Sequence, residues 1–137
     1  MGRLVFADSS GLIAQFLEKD PNHAAAVVGV ERLLLEGRRF VTTNYVFDEV
    51  VTRARRIAGF PWSRKIGGAI LSSTLIRRIY LDEAEEAQAW DLYLKHQDLD
   101  LSFTDATSFA VMERYGLAEA FTFDQDFSKA GFTVLPG

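Results

Sequence analysis

Short apolar runs in this chain end at polar residues and alternate with longer stretches of helical periodicity. The first run, Leu4–Ala7, is continuously apolar and is closed by Asp8. This pattern is typical of a strand that is buried on both faces, as strands are in parallel sheets. Parallel strands need crossover connections, which helices supply. The alternation therefore predicts an α/β fold, a three-layer sandwich with a mostly parallel sheet between helices.

The predicted elements follow one another without a linker, an internal repeat or a low-complexity segment. Asn44 is predicted to cap one helix, Gly59 to end it, and Ser102 to start a later one. Strands are expected at residues 4–7, 38–43, 75–81, 120–123 and 132–135, and helices at 12–17, 24–35, 44–58, 62–72, 82–96 and 102–115. Residues 1–137 are expected to form a single domain, which is long enough for one buried core.

The chain contains no Cys and only two His among its 137 residues. Disulfide scaffolds, thiolate zinc sites and cysteine nucleophiles are therefore excluded. No apolar run approaches the roughly 20 residues of a membrane span, and the first run stops too early for a signal peptide. We expect a soluble, cytoplasmic protein that has no membrane partner.

The net charge of −4 conceals an uneven distribution along the chain. Residues 1–80 hold 12 Lys or Arg against 7 Asp or Glu, whereas residues 81–137 hold 3 against 12. The average charge argues against binding nucleic acid by bulk attraction. The basic first part of the chain can nevertheless present a local phosphate-binding surface.

Four acids stand where the predicted fold has a ligand crevice. In open α/β sheets this crevice lies beyond the carboxyl ends of the strands, and Asp8 and Asp124 each follow a predicted strand. Asp105 lies in the first turn of a predicted helix, and Glu49 lies beside the apolar stripe of another. Each acid also has a purely structural explanation, as a helix cap, a turn residue or, for Glu49, the ion-pair partner of Arg53.

The order of these acids resembles that of the PIN-domain family, in particular the small VapC-type toxin ribonucleases. The resemblance covers nearly the whole chain, from Val5 to Leu135. It rests on four motifs, which are VFADSS at 5–10, VFDEVVTR at 46–53, LSFTDA at 101–106 and TFDQDF at 122–127. The third and fourth motifs, at this separation, are the specific ones.

The resemblance implies one cluster formed by Asp8, Glu49, Asp105 and Asp124, with Asp126 as a candidate fifth member. Clustered carboxylates repel one another, and a bound cation relieves that repulsion. Because such ligands are all oxygen, they favour Mg²⁺ or Mn²⁺ over Zn²⁺. A site of this kind suits a metal-dependent endoribonuclease, which hydrolyses RNA phosphodiester bonds without a nucleophilic side chain.

Within this expected cluster, each acid has a role. Asp8, Asp105 and Asp124 are expected to be the main ligands, and Glu49 to bind through water or to position the attacking water. Hydroxyls that support the ligands, or only cap helices, are expected at Ser9, Thr104 and Thr122.

Basic residues follow Glu49 along its helix and can grip substrate phosphates or form a solvated helix face. The predicted RNA-binding residues are Arg53, Arg55 and Arg56, with Arg64 and Lys65 as a second patch. Trp62 either packs in the core or stacks on a base.

The resemblance also implies a homodimer that a cognate antitoxin silences. Two other classes compete with this interpretation. A receiver module also carries Asp at strand ends, but it would need a Lys closing a late strand, and Lys129 closes none. A catalytically silent PIN-like scaffold, acting only through protein or RNA contacts, would typically have lost acids, and here all four remain.

Overall fold

The computed structural model describes residues 3–137. Within these residues the chain forms five strands, β1 (Leu4–Ala7), β2 (Arg39–Thr43), β3 (Ile76–Ile79), β4 (Glu119–Phe121) and β5 (Thr133–Leu135). It also forms seven helices, α1 (Ser9–Phe16), α2 (His23–Leu35), α3 (Asn44–Ala58), α4 (Phe60–Ser72), α5 (Glu83–Lys95), α6 (Phe103–Arg114) and α7 (Asp126–Lys129). No helix in this part of the chain combines the length and the hydropathy that crossing a bilayer requires.

The five strands form one parallel sheet in the order β3-β2-β1-β4-β5. The chain moves outward from β1 to β3 and then returns to β4 on the other side of β1. Because parallel crossovers are right-handed, these opposite directions place helices on opposite faces of the sheet. The predicted three-layer α/β sandwich is confirmed.

One apolar core lies between the sheet and its helices. Phe6 of β1, Phe121 of β4 and Phe109 of α6 are completely buried in it. The Phe109 ring meets the ring of Phe127, in α7, edge-on at 5.0 Å between centroids. Since burying an aromatic side chain contributes about 1.5–3 kcal/mol, this shared core stabilises the packing of the helices on the sheet.

Several elements differ from the prediction. α1 begins at Ser9 rather than at residue 12, α4 begins at Phe60 rather than at residue 62, and β3 covers residues 76–79 rather than 75–81. The prediction that Asn44 caps α3 is wrong, because the Thr43 hydroxyl accepts the capping bond from Val46 N at 3.0 Å. The Asn44 amide oxygen instead accepts a bond from Leu81 N. β4 ends at Phe121, two residues earlier than expected, and no periodicity in the sequence predicts α7.

β1 and β4 lie side by side at the point where the strand order reverses. Ligand crevices of open α/β sheets form at such switch points, beyond the carboxyl ends of the strands. Asp8 directly follows β1, and its backbone N–H donates to the carbonyl of Phe121 at 3.1 Å. The fold therefore brings the polar residues after both strands to one edge of the sheet.

Candidate active site

Asp8 lies at the centre of this edge and is only 2% exposed. The Thr122 hydroxyl donates to Asp8 Oδ2 at 2.7 Å, and the Ser10 hydroxyl lies 3.1 Å from the same oxygen. Asp8 Oδ1 is buried and has no hydrogen-bond partner. Asp8 is the residue before α1, but its side chain makes no capping bond to that helix. The cap explanation of Asp8 therefore does not account for its carboxylate.

Asp105 approaches the same edge from the start of α6. It takes part in a capping box, in which Ser102 N donates to Asp105 Oδ2 and Asp105 N donates to the Ser102 hydroxyl, both at 3.1 Å. The helix needs this box because its first backbone N–H groups have no partners inside the helix. Asp105 is thus a capping residue, as its structural explanation requires. The capping box uses only Oδ2 of its carboxylate and not Oδ1.

Asp124 belongs to a turn that follows β4. Its backbone N–H donates to the Thr122 hydroxyl at 3.0 Å, and its Oδ1 accepts from Asp126 N at 2.9 Å. The carboxylate of Asp126 itself lies 3.9 Å from the Lys129 ammonium. Asp126 therefore shapes the turn through its backbone, and its side chain pairs within α7.

Glu49 enters the site from α3, where it is half-buried. The Ser9 hydroxyl, at the start of α1, donates a short hydrogen bond to Glu49 Oε1. The Arg53 guanidinium in turn donates to the Ser9 oxygen at 3.3 Å. Among the ion pairs of residues 3–137, none joins Glu49 to Arg53, so Ser9 stands between the two charges.

The carboxylates interact electrostatically. Burial raises the pKa of the Asp8 carboxyl, and the charge of Glu49 adds to that increase. The hydrogen bond from Thr122 lowers the same pKa but does not offset the effect of burial. Burial, followed by the charge of Asp8, raises the pKa of the Asp105 carboxyl from 3.8 to about 7. The charges of Asp124 and Glu49 contribute smaller parts of this increase, and the hydrogen bond from Ser102 N opposes it. The ionisation of Asp105 therefore depends on the charges of the three other acids.

These groups line an open groove with a volume of about 640 Å³. Its lining is mostly polar and consists of Asp8, Ser9, Ser10, Glu49, Arg53, Asp100, Leu101, Ser102, Asp105, Phe123, Asp124 and Gln125. The predicted cluster of four acids thus shares one groove, together with Ser9 and Arg53. Asp126, Thr104, Arg55 and Arg56 are not part of its lining.

The groove has the donor set that a hard cation requires. Its acids present only oxygen, and Asp8 Oδ1 is a buried acceptor without a donor, which a cation would satisfy. Within the described residues, no three acidic or imidazole groups already converge closely enough to form a metal site. The side chains that could close on an ion from different elements are Asp8, Asp105, Asp124 and Glu49.

Sequence reasoning missed the role of Ser10. Its hydroxyl lies 3.0 Å from the Thr122 hydroxyl and accepts from Phe123 N at 2.9 Å, so it joins α1 to the loop after β4. The signal available was the second Ser after Asp8, one residue beyond the predicted Ser9. The hydroxyl of Thr104 makes no such contact, and only its backbone carbonyl, which accepts from two hydroxyls of α6, is used.

Comparison with known proteins agrees with this arrangement. A family model described as PIN domain matches residues 5–133. The chain belongs to the PIN-domain family. It is 36% identical over 133 residues to the 23S rRNA-specific endonuclease VapC20 of Mycobacterium tuberculosis. The alignment covers 96% of this chain and 98% of that protein. The resemblance of this PIN domain to VapC-type toxins, inferred from its motifs, is confirmed.

Solved structures support the same assignment. The crystal structure of VapC20 from M. tuberculosis, described as a sarcin–ricin loop cleaving toxin, superimposes with a TM-score of 0.84 at 35% identity, over 94% of this chain and 96% of that chain. VapBC2 from Rickettsia felis, solved with a promoter DNA fragment, has a TM-score of 0.71 at 10% identity, over 96% of both chains. FitAcB from Neisseria gonorrhoeae has a TM-score of 0.65 at 20% identity, over 95% of both chains. The last two similarities show the fold alone.

Proposed function

We propose that this PIN domain is a metal-dependent endoribonuclease and the toxin of a toxin–antitoxin pair. The observation that carries the proposal is the buried Asp8, which has one unpartnered oxygen and shares the groove at the switch point of the sheet with four further acids, Glu49, Asp100, Asp105 and Asp124. A carboxylate in that position is costly without a cation. The 36% identity to an rRNA endonuclease over nearly the whole chain supports the same activity.

Mg²⁺ or Mn²⁺ is the proposed cofactor, held by Asp8, Asp105 and Asp124, with Glu49 bound through water. When bound, such an ion activates water for attack on a phosphodiester and stabilises charge on the leaving oxygen. The chain itself supplies the orientation. Ser9 fixes Glu49 beside the groove, where Glu49 can accept a proton from the attacking water.

Substrate RNA is proposed to reach the groove with help from Arg53, whose guanidinium lines it. One of its N–H groups contacts Ser9, and the others are available to a phosphate oxygen. VapC20 is described as cleaving the sarcin–ricin loop of 23S rRNA. We therefore propose a structured RNA of this kind as the substrate class.

A cognate antitoxin is the proposed partner. An acidic groove accepts a basic side chain in the position that the cation would occupy, so an antitoxin Arg or Lys would block the metal, the substrate or both. A homodimer, a cytoplasmic location and a single domain over residues 1–137 remain predictions.

Cleavage mapping tests the function directly. Ribosomal RNA is incubated with the protein in Mg²⁺ or Mn²⁺, with and without EDTA, and the new RNA ends are mapped. The proposal expects cleavage at discrete positions that EDTA and Asp8→Asn both abolish. Asp91→Asn, which changes an exposed acid of α5 outside the groove, serves as the matched control. Cleavage that persists in Asp8→Asn would assign it to a contaminating nuclease and would contradict the proposal.

A further inference from the structure

One stretch of this acidic protein contains no acid. Residues 50–81 include seven Arg or Lys and neither Asp nor Glu, in a chain of net charge −4. The stretch forms most of α3, all of α4 and the edge strand β3. α3 and α4 pack against each other and are joined at Gly59. The positive charge is therefore concentrated at one end of the sheet, beside the acidic groove.

α3 connects the groove to this charge. Glu49, Arg53 and Arg56 are spaced i, i+4 and i+7, so they share one face of the helix. With a rise of 1.5 Å per residue, Arg53 and Arg56 lie about 6 and 10 Å beyond Glu49 along the helix axis. A polynucleotide leaving the groove along this face would pass from an acid to successive cations.

Aromatic rings hold several of these cations. The Arg55 guanidinium lies 5.1 Å from the centre of the Phe60 ring, and the Lys65 ammonium lies 4.8 Å from that of Trp62. Such a contact occupies the face of the cation and the ring, and it leaves the N–H groups at the edge of the guanidinium free for phosphate oxygens. These cations therefore keep N–H donors for phosphate oxygens, and the surface is suited to binding phosphates.

The side chains of Arg77 and Arg78, in β3, lie on opposite faces of the sheet. Arg78 lies over the rings of both Phe47, in α3, and Tyr80, each at 5.1 Å, so it belongs to the α3 side of the sheet. Successive side chains of a strand point to opposite faces, which places the exposed Arg77 on the other side. Arg53 and Arg56 share the face of α3 that carries Glu49, whereas Arg55, two residues from Arg53, leaves the helix in a different direction, towards Phe60. We define the basic face as Arg55, Arg64, Lys65 and Arg78.

We infer that the basic face binds the phosphate backbone of a double-stranded RNA stem next to the cleaved strand. This inference rests on the proposed function. The groove is lined by acids and repels the flanking phosphates, which must therefore be neutralised elsewhere. Cations that come from two helices and a strand, rather than from one line, suit a substrate with two phosphate backbones, and proteins recognise A-form stems by phosphate contacts and shape.

RNA binding by catalytically inactive protein tests the inference. The Asp8→Asn protein is titrated by fluorescence anisotropy with two hairpin RNAs that have the same loop and either a long or a short stem, over a series of salt concentrations. We expect the long stem to bind roughly tenfold more tightly than the short one at low salt. Adding Arg64→Gln and Lys65→Gln should remove that difference and flatten the salt dependence, by about 0.7–0.9 in log–log slope for each lost phosphate contact.

A second double variant controls for bulk charge. Arg32→Gln with Arg77→Gln removes the same charge from exposed positions outside the basic face, and it should keep the advantage of the long stem. Thermal melting of both double variants checks that they fold. An equal loss in both, or no loss in the Arg64→Gln/Lys65→Gln protein, overturns the inference. So does a loss of antitoxin binding with RNA binding unchanged, which would make the basic face a protein interface.

Cleavage by protein with Asp8 intact distinguishes the inference from the proposed function. The ratio of cleavage efficiency on the long-stem hairpin to that on the short-stem one should fall towards one in the Arg64→Gln/Lys65→Gln variant and should stay at the wild-type value in the Arg32→Gln/Arg77→Gln control. If the wild-type protein cleaves neither hairpin nor ribosomal RNA, the proposed function itself fails. If it cleaves both hairpins and the variant does so equally well, the function stands and the basic face has no role.

Discussion

The Thr122 hydroxyl donates a 2.7 Å hydrogen bond to Oδ2 of Asp8 from 114 residues away in the sequence. The bond joins the loop after β4 to the end of β1 and fixes the rotation of the carboxylate. It leaves Asp8 Oδ1 buried and without a donor. An acid that is held in this way by one oxygen is prepared to give the other to a cation.

Neutralising Asp8 should separate activity from stability. Asp8→Asn keeps an oxygen that can accept from Thr122 but removes the buried charge. We expect cleavage to be lost, while the free energy of unfolding in metal-free buffer at pH 7 rises, because burial and the charge of Glu49 disfavour the ionised carboxyl in the folded state. Chemical denaturation in EDTA measures the second effect. A destabilised Asp8→Asn protein would mean that the carboxylate is structurally required rather than strained.

Asp124 and Asp126 should behave differently although they are two residues apart. Asp124 lines the groove, whereas the carboxylate of Asp126 faces Lys129. We expect Asp124→Asn to reduce cleavage at least a hundredfold and Asp126→Asn to change it less than threefold, because only Asp124 lines the groove in which the ion would bind. Initial rates at saturating Mn²⁺ provide the comparison. Equal losses in the two variants would make Asp126 a ligand.

Ser9 should position Glu49 without being essential. Ser9→Ala removes the hydroxyl that donates to Glu49 and accepts from Arg53. Loss of a group that orients a ligand typically costs ten- to a hundredfold, so we expect an activity loss in that range and a stability loss of about 1 kcal/mol. Ser72→Ala, at the exposed end of α4, is the control and should keep full activity. An unaffected Ser9→Ala enzyme would show that Glu49 needs no support.

Gly11 should be irreplaceable because α1 touches β4 there. A Cβ at this position would lie 2.6 Å from Phe121 Cδ2 and closer still to the Phe121 carbonyl oxygen. We expect Gly11→Ala to destabilise the fold by about 2 kcal/mol or more. The control, Gly68→Ala in α4, places its Cβ in open space and should stabilise the helix by about 0.5–1 kcal/mol. Urea denaturation of both variants measures the difference, and a Gly11→Ala protein as stable as wild type would show that α1 can move.

The sequence predicts the framework of this site better than its details. Asp8 and Asp124 could be placed at one crevice because parallel strands present their carboxyl ends together, a rule that needs only the order of elements. The position of Asp105 in the first turn of α6 could be predicted from its capping box, which is a local pattern. These positions depend on short-range information and on one general property of α/β sheets.

The details depend on contacts between distant segments. The residues around Ser10 in the sequence do not indicate that its hydroxyl contacts the Thr122 hydroxyl. Those around Asn44 do not indicate that its amide oxygen accepts from Leu81 N, while Thr43 caps the helix. The separation of Arg77 from Arg78 likewise requires knowing which face of β3 meets α3. Tertiary packing determines these contacts, and the spacing of neighbouring residues does not predict it.

The pKa of Asp105 makes stability depend on pH in a direction that a metal should reverse. Burial and the neighbouring acids raise the pKa of its carboxyl from 3.8 to about 7, so the folded state holds a proton that the unfolded state releases between these values. Without metal, stability should therefore fall as pH rises from about 4 to 7. Mn²⁺ binds the ionised form, so it should raise Tm most at the upper end of this pH range. At a hundred times its Kd, the ion should add about 2.7 kcal/mol to the free energy of unfolding. Melting curves across this range measure both effects, and Asp105→Asn, which keeps the raised pKa of Asp8, should show a smaller decline than the wild type. A silent scaffold would show the decline but no rescue.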